Sequence, residues 1–269
     1  MTISIITPSY NNGKTISWTI ESILKQDFKD IEYIIIDGNS TDNTTDTIKE
    51  YEPMFNGRLK WISEPDNGLY EAMNKGIKMA TGEIVGILNA DDFYHRTDII
   101  SKIAREFKAN DIDALYGDLI FVSSKNINKT VRYYSAKNFN ISKFKFGFAP
   151  PHPTFFTYKK NFEKFGYYNT NYQISSDFEL LVRFLYVNKL RAKYLPTVFL
   201  KMRTGGLSTN KKHQLFTNTK EQVKACRMNG IKTHTIFVLM KFAIKIPGFL
   251  FPKRYNSAEA SIYNAKKQK

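Results

Sequence analysis

Hydrophobic and polar positions along the first hundred residues alternate between two kinds of stretch. Short, largely apolar runs at Ile3–Ile6, Tyr33–Ile36 and Leu59–Ser63 read as strands. Ile84–Leu88 reads as a strand buried on both faces, because its apolar positions run on without alternating. Between these runs the spacing turns helical. Ile16, Ile20, Ile23 and Leu24 mark a helix over 15–25, and 44–51 reads as another. Leu69, Met73, Ile77 and Ala80 predict a third helix with one buried stripe, ended by Thr81-Gly82. Strand–helix alternation of this kind predicts an α/β fold with a mostly parallel central sheet.

The polar chemistry gathers where the strands end, which is where open α/β sheets place their ligands. The first strand opens into Thr7-Pro8-Ser9-Tyr10-Asn11-Asn12 and the second into Asp37-Gly38-Asn39-Ser40-Thr41-Asp42. The fourth runs into Asn89-Ala90-Asp91-Asp92. Two adjacent carboxylates repel, and burying them costs several kcal/mol. A divalent cation offsets that repulsion, and magnesium and manganese prefer carboxylate oxygen. The plainer alternative is a solvated turn in which Asp91 caps the next helix. Likewise Tyr10 reads equally as a loop aromatic and Asp37 as a helix cap.

The second half carries an amphipathic helix at Ile99–Phe107, a strand Ala114–Asp118 ending in an acid, and a hairpin arm at Lys129–Tyr134. An aromatic, proline-rich loop, Phe144–Pro153, contains His152 and precedes the strand Thr154–Phe156. Asp177 opens a helix that turns Leu180, Leu181 and Phe184 to the core and Glu179 to another face. Its plain reading is a charge that favours the helix dipole. The loop Thr204–Thr209, with Gly206 and Ser208, is followed by Lys211, Lys212 and His213. Backbone N–H groups and lysines suit an anion there, and a simple linker is the alternative.

Composition changes the picture at the C-terminal end. The 269 residues carry a net charge of +15 and are 42% hydrophobic, ample for a full core. Residues 210–269 hold 13 Lys and Arg against two Glu, so this tail is strongly basic and the rest is near neutral. Such a tail suits an anionic membrane surface, nucleic acid or a phosphorylated substrate. From His234 to Arg254 bulky apolar residues are interrupted by Lys241 and Lys245, which share a helix face. The run is too short to span a bilayer, and it reads as a basic amphipathic helix at a membrane interface or as one packed on the domain or in an oligomer. The single cysteine, Cys226, and the lack of a signal peptide point to the cytoplasm. There is no GxGxxG and no Walker lysine motif, which argues against a dinucleotide enzyme or a P-loop ATPase.

Four motifs in order, Thr7–Asn11, Asp37–Asp42, Asn74-Lys75-Gly76 and Leu88–Asp92, with Asp177 as a fifth, resemble family 2 glycosyltransferases of the A-type, Rossmann-like fold. The resemblance covers roughly residues 1–210. It implies a nucleotide-sugar half at 1–95, an acceptor half at 96–210 and a helical basic tail at 211–269. It further implies an inverting transferase moving a sugar from a donor, UDP-linked, to the hydroxyl of a lipid-linked or glycan acceptor in surface polysaccharide synthesis. Thr7, Pro8 and Tyr10 would line the base pocket, with the Tyr10 ring on uracil. Asp37 would accept from the base imide, with Asn39 and Asp66 as further donor-site contacts. Asn89, Ala90 and Asp91 occupy the acid-x-acid motif. Asn89 stands where the family usually has Asp, which keeps a ribose contact and puts its share of metal binding in doubt. Asp91 would bind magnesium or manganese, joined by Asp92. Asp177 would be the catalytic base. His152, Gly206 and Ser208 would contact the acceptor or the diphosphate. The expected site of action is the inner face of the cell membrane. The rival from another class is a catalytically silent nucleotide-sugar or glycan-binding protein. A nucleic-acid binder fits less well, because Tyr10 lies in the near-neutral segment rather than in the tail.

Overall fold

The first half is built from β1 (Ile3–Ser9), α1 (Ile16–Leu24), β2 (Ile31–Asp37), α2 (Thr44–Tyr51), β3 (Leu59–Ser63), α3 (Leu69–Met79) and β4 (Ile84–Ile87). The second adds β5 (Phe93–Tyr94), α4 (Ile99–Ala109), β6 (Ala114–Val122), β7 (Thr130–Tyr134), β8 (Phe156–Tyr158), α5 (Lys159–Phe165), α6 (Ser176–Val182), β9 (Ala192–Arg203) and α7 (Lys211–Met228). The structure, a computed structural model, describes residues 1–205 and 211–241. Gly206 and Ser208, and the basic positions Lys245, Lys253 and Arg254, lie outside the described residues.

All strands join one sheet in the order β3-β2-β1-β4-β8-β6-β9-β5, with β7 hydrogen-bonded to β6. The first four pair parallel throughout, as their apolar runs require when helices cover both faces. Antiparallel β8 joins β4 to β6, and parallel pairing resumes between β6 and β9. Alternate side chains of each strand feed two cores. Ile6, Ile34 and Ile36 pack with Met73 and Ile77 of α3 and with Phe178, Leu180 and Phe184. Ile5, Tyr33 and Ile35 pack with Ile16, Ile20 and Ile23 of α1 and with Ile103 and Phe107 of α4.

Two expectations need correction. Leu69 is 49% exposed, because it is the first residue of α3 after Gly68, and Tyr70 takes the buried place at its side. The strand at 114 does not end at Asp118 but runs through it to Val122. Asp118 is tolerated mid-strand because Tyr133, Tyr194 (2.8 Å) and the Ala136 N–H (2.7 Å) all donate to it. Along its described length the basic C-terminal segment packs on the domain, one of the arrangements expected for it. Ala225 and Cys226 of α7 are fully buried in the core with Phe144 and Phe178, and Val238 is fully buried in the helix over 235–241.

One buried carboxylate ties the parallel strands together at their N-terminal ends. Glu32 of β2 accepts from Ser4 Oγ of β1 (2.5 Å), Lys60 Nζ of β3 (2.7 Å), and the N–H and hydroxyl of Thr81 ahead of β4 (2.7 and 2.8 Å). Burial alone would raise its pKa, yet these donors pull it down to about 2 from the ordinary 4.5. A lowered carboxyl pKa contributes stability at neutral pH that is lost as pH falls through the folded value. Glu32 therefore supplies about 3 kcal/mol at pH 7 that disappears between about pH 5 and pH 2. Urea unfolding of the parent and Glu32→Gln chains at a series of pH values should show the gap between them closing over that window. A gap that stays constant down to pH 2 would contradict this assignment.

Candidate active site

The C-terminal ends of β1 and β2 are locked together by side chains of the polar loops. Asn11 Oδ1 accepts from the Thr41 N–H (2.9 Å), and the Asn11 N–H donates to Ser40 Oγ (2.8 Å). Asn11 and Asn39 adopt positive φ (52° and 63°), which asparagine tolerates better than most residues. Asp37 is fully buried and accepts from the Ser40 N–H (2.9 Å), the Ser40 hydroxyl and the Ser63 hydroxyl (2.7 Å). A carboxylate offers about four lone-pair sites, so one remains on Oδ1. Asp66 stands against Gly38: a Cβ there would lie 2.8 Å from Asp66 Oδ2. Tyr10 is 57% exposed at the rim, so its ring is open to a ligand. Thr7 is fully buried and its hydroxyl accepts from Tyr33 Oη (3.2 Å), so its side chain belongs to the core.

Leu88 N–H donates to the Ile6 carbonyl (2.9 Å), which sets the end of β4 beside the end of β1. Here the polar atoms are not satisfied. Asn89 Oδ1 and Asp92 Oδ1 are buried without a hydrogen-bond partner, and Asn89 Nδ2 donates to Asp92 Oδ2 at a long 3.3 Å. Burial raises the pKa of Asp91, and burial together with Asp91 raises that of Asp92 well above the usual carboxylate range. Asp91 does not cap the next helix, whose N-cap is Asp98. Facing both acids is Arg203, at the end of β9, with Nε and Nη2 buried and unpaired. Its guanidinium stacks over Trp18 and Phe93, 5.0 and 5.5 Å from the ring centroids. Sequence reasoning missed Arg203, whose one local signal was its place just before the Gly-rich loop.

A cavity of about 440 Å³ brings Asp177 and His152 together. Its walls include Phe121, Tyr134, Pro151, Phe178 and Met202, closed by Leu215, Asn218 and Gln222 of α7 and by Lys241. The two groups are also wired from behind. His152 Nε2 shares a short hydrogen bond with Tyr168 Oη, and Tyr168 stacks on Tyr70 with centroids 5.8 Å apart. The Tyr70 hydroxyl donates to the Ile174 carbonyl and, at 3.5 Å, reaches Asp177 Oδ1. Asn74 of α3 fixes Tyr168 by a reciprocal pair of bonds to its backbone (2.8 and 2.9 Å). Burial pushes the His152 pKa down, with Asp177 opposing, so the imidazole is neutral at pH 7.

Residues 4–173 match the profile of glycosyl transferase family 2. The chain belongs to that family. A PGL/p-HBAD biosynthesis glycosyltransferase of Mycobacterium bovis (strain BCG) is 30% identical over 207 residues, 76% of this chain and 78% of that one. Among solved structures, this family 2 glycosyltransferase superposes on S. aureus TarS 1–349 in complex with UDP-GlcNAc with a TM-score of 0.66 at 18% identity. That match covers 88% of this chain and 70% of TarS 1–349, whereas another TarS structure is spanned over 43% of its length. The mannosyltransferase PcManGT of Pyrobaculum calidifontis, in complex with GDP-Man and Mn2+, superposes with a TM-score of 0.64 at 18% identity over 96% of this chain and 75% of its own. These likenesses establish the A-type glycosyltransferase fold.

The Tyr168–His152 bond gives a direct stability test. Tyr168→Phe leaves a buried imidazole nitrogen without its partner, which should cost about 1–3 kcal/mol. Equilibrium urea unfolding at pH 7 reads this, and a loss below a few tenths of a kcal/mol would show that the bond is not formed in solution.

Proposed function

We propose that this family 2 glycosyltransferase moves a sugar from a UDP-linked donor to an acceptor hydroxyl with inversion at the anomeric carbon. The observation that carries the reading is the pairing of two unlike places in one fold. One is a strand-end crevice of unsatisfied oxygens, and the other is a cavity holding a carboxylate beside a neutral histidine. In the crevice, Tyr10 stacks on the uracil, and Asp37 offers its remaining lone pair to the imide N–H. Pro8, Asn39 and Asp66 complete the pocket, with Thr7 contributing through its backbone. Asn89 accepts from a ribose hydroxyl.

The chemistry of the donor set fits a divalent cation, because Asn89 Oδ1 and Asp92 Oδ1 are orphaned beside Asp91. A magnesium-type site takes one or two carboxylates and is completed by substrate phosphates. Asp91, with Asp92 behind it, would hold the ion, which when bound neutralises the leaving diphosphate. The unpaired N–H groups of Arg203 add positive charge on the same side.

Asp177 is the base. The Phe178 N–H (2.8 Å) and Tyr70 both address Oδ1, which leaves Oδ2 to take the proton from the incoming hydroxyl. A lipid-linked acceptor is supported by the surface of the last described helices. Phe216, Met228, Ile236, Leu239 and Met240 are exposed there among the exposed cations Lys220, Lys224, Arg227 and Lys232. Apolar and basic groups together suit the anionic inner face of a membrane. No described helix is long and apolar enough to cross one.

Two measurements test the reading. Hydrolysis of a UDP-sugar panel without acceptor should require magnesium or manganese, stop with EDTA, and be largely lost in Asp91→Asn. Undiminished turnover in excess chelator would sink the cation. Asp177→Asn should lower transfer by about 10²–10⁴ while UDP binding by calorimetry stays near normal. If UDP binding collapses instead, Asp177 belongs to the donor site.

A further inference from the structure

Helix α1 reaches both partners of the charge cluster at the end of β4. The Thr19 hydroxyl donates to the Asp92 carbonyl (2.7 Å), which ties the backbone of that acid to the helix. The preceding residue, Trp18, is 46% exposed, and its ring centroid lies 5.0 Å from Cζ of Arg203. Phe93, the residue after Asp92, supplies a second ring 5.5 Å from the same carbon. The centroids of the two rings are 6.2 Å apart and their planes lean at 43°, so together they form a wedge-shaped shelf.

Arg203 ends β9 and is drawn electrostatically to Asp91 and Asp92, yet its Nε and Nη2 are buried without a hydrogen-bond partner. An arginine beside carboxylates ordinarily closes on them as a forked pair. Here it does not, and Asp92 Oδ1 is left unpartnered as well. The shelf supplies the reason. A guanidinium is attracted to aromatic faces, more so where water is excluded. Stacking fixes the plane of the fork and leaves its N–H edge free to bond. A fork closed on the two acids would use up their oxygens and its own donors together. Held on the rings, it keeps the two sets apart, so that the crevice can take an anion on one side and a cation on the other.

We propose that Trp18, with Phe93 behind it, is a positioning residue of the donor site: its ring holds Arg203 out of ion pairing with Asp91 and Asp92 and presents the guanidinium edge to the phosphates of the ligand. The identity of that ligand as a nucleoside diphosphate rests on the transferase reading above, whereas the shelf needs only the two rings and the arginine. Trp18 acts through Arg203, so it governs the grip on phosphate and not the grip on uracil.

The test is calorimetric binding of UDP, inorganic pyrophosphate and uridine to the full chain in magnesium buffer. Trp18→Leu should weaken UDP and pyrophosphate by about 2- to 30-fold, the range a stacked guanidinium supplies, and leave uridine within about twofold. Trp18→Phe, which keeps a ring, should recover most of the loss. Nearly half of Trp18 faces solvent, so neither substitution opens the core. In an Arg203→Met background Trp18→Leu should cost nothing further, because the contact it removes is already gone. A loss of UDP binding that persists in that background overturns the proposal, since Trp18 would then act on the fold rather than through the arginine. So does a Trp18→Leu chain that binds UDP as tightly as the wild type, or one that loses uridine equally. Pyrophosphate separates the two readings. A wild type that binds pyrophosphate in a Trp18-dependent way but has no affinity for uridine, and binds UDP no more tightly than pyrophosphate, keeps the shelf and loses the uracil pocket. A wild type that binds none of the three overturns both.

Discussion

Strand β2 carries a buried carboxylate at each end, and the geometry of the site depends on both. Glu32 draws donors from β1, from β3 and from the turn before β4, so it pins all four parallel strands at the end remote from the ligands. Asp37 closes the other end by gathering Ser40 and Ser63. Between them β2 is apolar and without solvent contact. Each buried acid carries a desolvation cost of several kcal/mol, and charge-assisted hydrogen bonds offset it only where the neighbouring strands stand in register. The register Ser9↔Asp37 and Asp37↔Ser63 is therefore held by chemistry as well as by packing.

The same accounting separates acids that the chain itself satisfies from acids that it does not. Glu32 and Asp118 are each buried and each supplied with three or more donors from the chain itself, and Asp37 has three with one lone pair left over. Asp92 is as deeply buried, yet one of its oxygens has no partner and the other has a long, poor one. Its neighbours repeat the pattern, with Asn89 Oδ1 orphaned and two Arg203 donors unused. Burial without satisfaction is expensive in a folded protein and recurs where function requires it. Unsatisfied oxygens and guanidinium N–H groups thus gather at one set of strand ends, and in the reading proposed above a phosphorylated ligand and its counter-ion would complete them.

Periodicity made the first half legible. The strands at Ile3, Tyr33, Leu59 and Ile84 and the helices between them fall where apolar spacing places them, because parallel strands under helices on both faces write their burial directly into the sequence. The errors arise where long-range contacts decide. Nothing local to Asp118 announces Tyr194, which lies 76 positions away. Lys241 looks amphipathic on a helical wheel, and its true side is set by Gln222 and by the turn at Gly147. Arg203 reads as one more basic residue until β9 pairs with β5 and brings it over Phe93. His152 and Asp177, 25 positions apart, were legible as separate candidates, whereas the tyrosine pair that links them was not.

The stretch matched by the family profile ends at residue 173, four positions before Asp177, while the cavity is completed by chain from 174 to 241. Glu221 of α7 shows how that later segment enters the site. Its carboxylate accepts from the N–H groups of Gln173, Ile174 and Ser175 at 2.8, 3.0 and 2.9 Å, immediately ahead of the helix that carries Asp177. Three unpaired backbone donors are thereby satisfied by one side chain from a helix whose remaining face walls the cavity. Any movement of α7 must then move the turn that positions Asp177, and any ligand seated against Leu215, Asn218 or Gln222 bears on the same helix. The division follows from the chemistry: a nucleotide-sugar donor asks much the same of every sheet that binds it. An acceptor differs from case to case, and in the reading proposed above its contacts would fall on elements beyond the shared core.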